Sequence, residues 1–165
     1  MAAESTVTKT FRNGNLNLSD GTGVPLSYDG SYEDGDFAAD LEKAARTVVY
    51  DRGVIVGLRK GLDPVQSFTI TVDMRQFTNA AQATIVDVIE QTGAWAGAIS
   101  VASTNYEFFL VKAVFTVSGT AFGDTADHVM TMNNVLLTWS FKEGDRNKIV
   151  IKGEVYGAIT RSGPA

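Results

Sequence analysis

From Phe68 to Arg75 apolar and polar residues alternate without a break: Phe68, Ile70, Val72 and Met74 against Thr69, Thr71, Asp73 and Arg75. Successive side chains of a strand point to opposite faces, so this pattern puts one face in a core and the other in water. It predicts a half-buried antiparallel strand and, with it, a sheet that needs covering on one side.

The same period recurs on both sides of this stretch. Val48, Val49 and Tyr50 lead through Asp51-Arg52-Gly53, a turn, into Val54, Val56 and Leu58 alternating with Ile55, Gly57 and Arg59. Lys60 to Pro64 turns the chain again. Val129 to Phe141 reads as a long strand with Val135, Leu137, Trp139 and Phe141 on one face. Lys142 to Asn147 is a hairpin turn. The return strand carries Ile149, Ile151, Val155 and Ile159 on one face, interrupted by Gly153 and Gly157, where a bulge or close packing is expected. In Tyr106 to Val117 both alternating sets are largely apolar, which predicts a strand covered on both sides. At the N-terminus, Val7 to Phe11, the turn dipeptide Asn13-Gly14 and the alternating Leu16 and Leu18 predict a short hairpin.

Two stretches break this rhythm. In residues 80–91, Ile85, Val88 and Ile89 stand at helical spacing, which predicts one amphipathic helix of about three turns, capped by Thr78 or Asn79 and ended by Gly93. Its single apolar stripe implies that it lies on the sheet. The other stretch is a long loop over about 19–47. Within it Asp29, Glu33, Asp34, Asp36, Asp40 and Glu42 occur with no basic residue among them, interleaved with Tyr28, Tyr32 and Phe37. One reading is a solvated acidic loop. The other is an arm ordered against a neighbouring subunit, with Tyr28, Tyr32, Glu33, Asp34, Asp36 and Phe37 as the contact residues. Ala38 to Arg46 is expected to form a short helical turn.

These elements make one domain over 1–165 of mainly β (α+β) class, an antiparallel β-sandwich or partly open barrel with one flanking helix. The 16 glycines against 3 prolines suit many turns between strands. There is no cysteine, which removes disulfides, thiolate metal sites and cysteine nucleophiles and fits a reducing compartment. A net charge of −5 argues against duplex binding, which needs a cationic surface. Met1 to Thr10 has no signal-peptide pattern, and the best apolar run, Phe108 to Val117, is short and carries Lys112.

The search for chemistry yields little. The one histidine, His128, lies in the run Asp124-Thr-Ala-Asp127-His128, two carboxylates and an imidazole with no ligand geometry of their own. No G-x-S-x-G motif places a serine, and neither Asp20–Gly23 nor Gly119–Gly123 matches a phosphate loop. Glu33 to Asp36 approximates a calcium loop whose distal glutamate is misplaced. Glu107 and Glu154 are expected to be exposed or paired. Arg59 and Lys60 form a small basic spot at a strand end. No catalytic, cofactor or metal residue is assigned, and no enzyme is expected.

The order of elements, with Val48–Gly61, Ser67–Met74, the helical Ala83–Glu90, and the closing Asn133–Asp145 and Asn147–Gly157, resembles the tail tube proteins of long-tailed bacteriophages and their relatives in contractile tails and type VI secretion. The likeness is one of pattern and length, without an invariant chemical motif. It implies a structural virion protein that assembles with itself into hexameric rings stacked into a hollow tube. The other implied partners are tape-measure, tail-tip and terminator proteins. It also implies that DNA passes through the lumen without specific binding, no cofactor, no membrane segment, and assembly in the host cytoplasm. Six copies of −5 give about −30 per ring, and an acidic lumen would let DNA slide by repulsion. The rival readings are another virion component such as a tail terminator, and a β-barrel module binding a ligand or glycan through an exposed Trp95 or Trp139.

Overall fold

The computed structural model describes residues 14–23, 25–31, 37–73, 81–102, 104–120, 123–143 and 148–163. Its strands are β1 (Gly14–Ser19), β2 (Ser27–Ser31), β3 (Ala38–Asp40), β4 (Arg46–Asp51), β5 (Val54–Lys60) and β6 (Gln66–Asp73). The helix α1 (Ile85–Glu90) follows, and then β7 (Val111–Val117), β8 (His128–Lys142), β9 (Lys148–Val155) and β10 (Ile159–Ser162). Eight strands share one antiparallel sheet in the order β2-β1-β7-β8-β9-β6-β3, with β10 paired to the first half of β8. β4 and β5 form a separate two-stranded sheet. The fold is mainly β with one short helix, and the sheet does not close into a barrel.

Over Phe68–Asp73 the alternation in β6 is realised; Met74 and Arg75 lie outside the described residues. Phe68, Ile70 and Val72 are buried, and Thr69 and Asp73 face solvent. β9 does the same with Ile149, Ile151 and Val155, and β1 with Leu16 and Leu18. In β8 the buried phase changes partway: Met132 and Val135 are both fully buried although three residues apart. Opposite them on β7 stand Ala113 and Val111, two residues apart. β8 therefore carries one extra residue, a bulge. Asn134, at φ 53°, takes the left-handed backbone that the bulge requires.

Gly153 reports close packing. It is the register partner of Phe68 on β6 and of Leu137 on β8. A Cβ there would lie 2.2 Å from the Phe68 ring. The ring lies over the space that glycine leaves open, and Phe37 packs against it at a centroid distance of 5.5 Å.

Several sequence expectations are corrected. The helix does not span 80–91; it starts after Thr84 and covers six residues. Its N-cap is Thr84, since Thr78 and Asn79 fall outside the described residues. It ends at Gln91, which adopts φ 53°, two residues before Gly93. The long loop of 19–47 is not continuous: β2 and β3 lie inside it. β2 pairs with β1, and Ala38–Asp40 forms an edge strand on β6 instead of a helical turn. The two-sided strand begins at Val111, and Tyr106 to Leu110 precede it without regular structure. The return strand is interrupted at Tyr156–Ala158, so Ile159 belongs to β10. Val7–Phe11 and the turn residues 144–147 lie outside the described residues.

A helix of six residues has too few internal bonds to persist alone. α1 is held by its cap and by its buried side chains Ile85, Val86 and Val88. The Asp87 backbone N–H donates to the Thr84 hydroxyl oxygen at 3.2 Å. In return the fully buried Asp87 carboxylate accepts from the Thr84 backbone N–H at 3.2 Å and from its hydroxyl at 2.6 Å. The Thr92 hydroxyl donates to the other carboxylate oxygen at 3.0 Å. Asp87→Ala strands these donors in a buried site, and the expected loss is about 3 kcal/mol of folding stability by urea titration. A loss below about 0.5 kcal/mol, the range of a neutral surface change, would show that the network does not hold the helix.

A candidate assembly surface

The hairpin β4–β5 carries the most unusual surface in the molecule. Its turn, Asp51-Arg52-Gly53-Val54, has Arg52 at φ 48° and Gly53 at φ 82°. Positive φ at both central positions is the geometry of a two-residue type I′ turn, whose twist matches that of the strands. A register shift at Val49/Tyr50 adds a bulge. The side chains are the wrong kind for a free ribbon. Tyr50, Val54, Ile55, Val56 and Leu58 are each about 60% exposed or more. Leu62, just beyond, is 89% exposed, and Val65 is also open. A two-stranded hairpin alone in water is marginal at best, and a contiguous apolar surface of this kind marks an interaction site.

The hairpin is also basic. Arg46, Arg52, Arg59 and Lys60 face the single carboxylate of Asp51, a net of +3 on a chain of net −5. The remainder of the chain therefore carries −8. Lys60 itself binds Asp63 at 2.7 Å, a fully solvated pair of small energetic worth.

A second apolar surface lies on the body. α1, the segment before β7, and β8 enclose a shallow groove lined by Val88, Ile89, Phe108, Phe109, Val135 and Leu137. Phe108 is 67% exposed, and Tyr106 and Phe141 are also open. Trp139 donates its indole N–H to Glu90 at 3.1 Å, which ties the end of α1 to β8, and Glu107, the chain neighbour of Phe108, is exposed.

Of the contact residues expected from the sequence, two are described. Phe37 stacks on Phe115 at a centroid distance of 3.8 Å, and Tyr28 packs against the core; both are half-buried. Tyr32, Glu33, Asp34 and Asp36 lie outside the described residues, as does the calcium-like Glu33–Asp36 run. By its alternation the hairpin reads as ordinary strand. A signal was present: Val54-Ile55-Val56 is apolar in both phases, and the flanking cations sit in an otherwise acidic chain.

No constellation of catalytic type assembles among the described residues. His128 Nε2 meets Asp124 at 3.1 Å, whereas Asp127 accepts from the Thr120 hydroxyl and backbone N–H, which hold its carboxyl below the usual aspartate value. The run Asp124–His128 thus resolves into two separate pairs. Glu154 is held below the usual glutamate value by bonds from Tyr156 and Lys152. Asp20 is a buried anchor. Burial pushes its carboxyl up, but bonds from the Ile99 N–H, the Thr22 hydroxyl and the Leu26 N–H outweigh it and hold the pKa low. Trp95, offered as an exposed platform for a sugar ring, is fully buried, and Trp139 is half-buried with its indole N–H on Glu90. No helix among the described residues is long and apolar enough to cross a membrane.

With this geometry in hand, comparison with solved structures is informative. A chain in the sheath/tube terminator of an extracellular contractile injection system (PVC) superposes with a TM-score of 0.59 at 11% identity, covering 98% of this chain and 100% of that one. The fold is shared end to end with injection-system chains. A chain of the PVC sheath–tube complex aligns at TM-score 0.56 and 11% identity, covering 96% and 93% of the two chains. A chain of the six-fold symmetrised baseplate of the anti-feeding prophage aligns at 0.56 and 12%, covering 97% and 98%. The chain matches no protein-family model and no curated protein sequence.

Proposed function

We propose that this chain is a structural subunit of a phage-tail-like particle, assembling with copies of itself into six-membered rings that stack into a hollow tube. The exposed apolar hairpin β4–β5 carries this reading, because a soluble chain bearing it needs a partner to cover it. The solved chains that share the fold from end to end come from the sheath–tube, terminator and baseplate parts of contractile injection systems, which supports the reading at the level of architecture. Such a subunit does no chemistry, and its other partners are further tail components. Passage of DNA or another cargo through the lumen, and residence in the virion, belong to the same proposal. The acidic segment from Tyr28 to Phe37 is retained as a second proposed contact between copies.

One observation favours a second role. The highest of the three structural similarities is to a chain from a sheath/tube terminator, with full coverage of that chain. A terminator forms a single ring on an existing tube, whereas a tube subunit stacks. Negative-stain electron microscopy of the concentrated protein separates them. Long hollow tubes are the expected result. Single rings that never stack would establish the terminator role. A protein that stays monomeric, both alone and with purified tail tips, would overturn both readings. Replacing Tyr32, Glu33, Asp34 and Asp36 by serine, which leaves β2 and its pairing with β1 untouched, is expected to stop stacking in the same assay while leaving the subunit folded; undisturbed tubes would remove that segment from the interface.

A further inference from the structure

The molecule holds two unusual surfaces, the basic apolar hairpin β4–β5 and the apolar groove beside α1, whose bounding elements carry the exposed Glu90 at the end of α1 and Glu107 next to Phe108 in the chain. We infer that the hairpin of one copy docks in the α1 groove of the next, a head-to-tail contact between two different faces of the same chain. This rests on the self-assembly reading and specifies how it is achieved.

Three observations select this occupant. The first is charge. The hairpin carries a net +3 and the rest of the chain −8, so the arm is attracted to the body of another copy, and the exposed charged residues of α1 and of the segment before β7 are the carboxylates Glu90 and Glu107. A neutral or acidic partner would lack this match. The second is chemistry of the surfaces. The arm offers branched aliphatic side chains, Val54, Ile55, Val56 and Leu58, and the groove offers open aromatic and aliphatic surface around Phe108 and Ile89. Aromatic residues at a groove that takes aliphatic anchors are the usual makings of an interface centre. The third is topology. The hairpin stands outside the eight-stranded sheet, and its own sheet has only two strands. It therefore gains order from a surface that covers it. An arm and its receptor on different faces form a heterologous contact, which closes into a ring or propagates along a stack. Either outcome agrees with a tube.

The chain has no cysteine, so two can be placed at will. Ile55→Cys marks the arm and Phe108→Cys the groove, both at exposed positions. The two variants are mixed, treated with a short bis-maleimide and run on a denaturing gel, with each variant alone as control. The mixture is expected to give cross-linked dimer at about tenfold or more the yield of either control, since only the mixture holds both halves of the contact. Glu107→Lys in the groove partner is expected to lower that yield severalfold at low salt, and Arg52→Glu in the arm partner to restore it. A yield indifferent to both reversals overturns charge-matched docking. Assemblies visible by microscopy with no cross-link above the controls would place the arm elsewhere, overturning this inference while leaving the tube reading intact. A cross-link without tubes or rings would keep the arm-in-groove contact and overturn the tube. Neither assemblies nor cross-link would overturn both.

Discussion

A chain carrying Val56→Asp and Leu58→Asp folds as the parent does and no longer assembles. Both side chains are at least 60% exposed, and β5 is paired only with β4, outside the sheet that holds the core. Substitutions on such a surface change folding stability by about 0.5 kcal/mol or less each. Their effect on association is of another size. Two carboxylates would have to leave water for an apolar contact without partners, a penalty of several kcal/mol. At about 4 kcal/mol the association constant falls roughly a thousandfold, so a concentration that fully assembles the parent leaves the variant as monomer. Sedimentation velocity reads the assembly and urea titration reads the fold. Variant particles sedimenting like the parent's would remove the hairpin from the interface. An unfolded variant would show instead that the hairpin belongs to the folding unit.

That prediction concerns the part of the molecule its sequence described least well. Period-two alternation identified β6, β8 and β9 and the buried side of β6 and β9, because in those strands only one phase is apolar. It also identified the hairpin Val48–Leu58 and its turn. Alternation states that a strand forms; it does not state what covers the strand. In β4–β5 nothing among the described residues covers the apolar side chains, so a run that reads as core is exposed. Tyr106–Val117 misled in the same sense over its first half. Tyr106 and Phe108 are open surface outside regular structure, while Leu110, Val111 and Ala113 are buried and Phe109 and Phe115 pack against the core.

The helix shows a local competition. Its apolar stripe, Ile85, Val88 and Ile89, was legible, but its start was placed too early. The box Thr84-x-x-Asp87 outlined the true N-cap, since a hydroxyl followed three residues later by a carboxylate can satisfy two helix-end donors reciprocally. Phe37 was hidden by its acidic neighbours. Composition suggested an exposed arm, while the ring stacks on Phe115, a contact between residues far apart in sequence that no local pattern encodes.

Charge placement also departs from what net charge suggests. The face of the sheet opposite the core carries Lys112, Lys148 and Lys152 alongside Asp73 and Glu154, with hydroxyls from Thr69, Thr138 and Ser140 between them. Lys152 and Glu154 pair at 3.1 Å. If this face lines a lumen, its wall is polar and mixed in sign, and the chain's negative charge resides elsewhere. A surface of paired charges and hydroxyls offers a passing polyanion neither strong attraction nor strong repulsion.

Gly153→Val is expected to remove more stability than any other single change to the sheet. The position lies on β9 between its register partners Phe68 on β6 and Leu137 on β8, at the middle of the eight-stranded order. A Cβ would meet two atoms of the Phe68 ring at 2.2 and 2.4 Å, and valine adds two further methyl groups. The ring has little room to retreat: Phe68 is 1% exposed, and Phe37 lies against it. Relief requires that β9 part from β6 or that the aromatic pair be expelled, and either disturbs the core shared by both strands. Overpacking of this kind costs about 3 kcal/mol and at times more, a large share of the stability of a domain this size. Gly153→Ala should cost less, and Phe68→Leu should soften it, because the smaller side chain vacates the space the Cβ needs. In a double-mutant cycle the two changes should be coupled by about 1–2 kcal/mol. Additive effects, or a Gly153→Ala loss below about 0.5 kcal/mol, would show that the ring moves aside freely and that glycine at 153 is not needed to seat it.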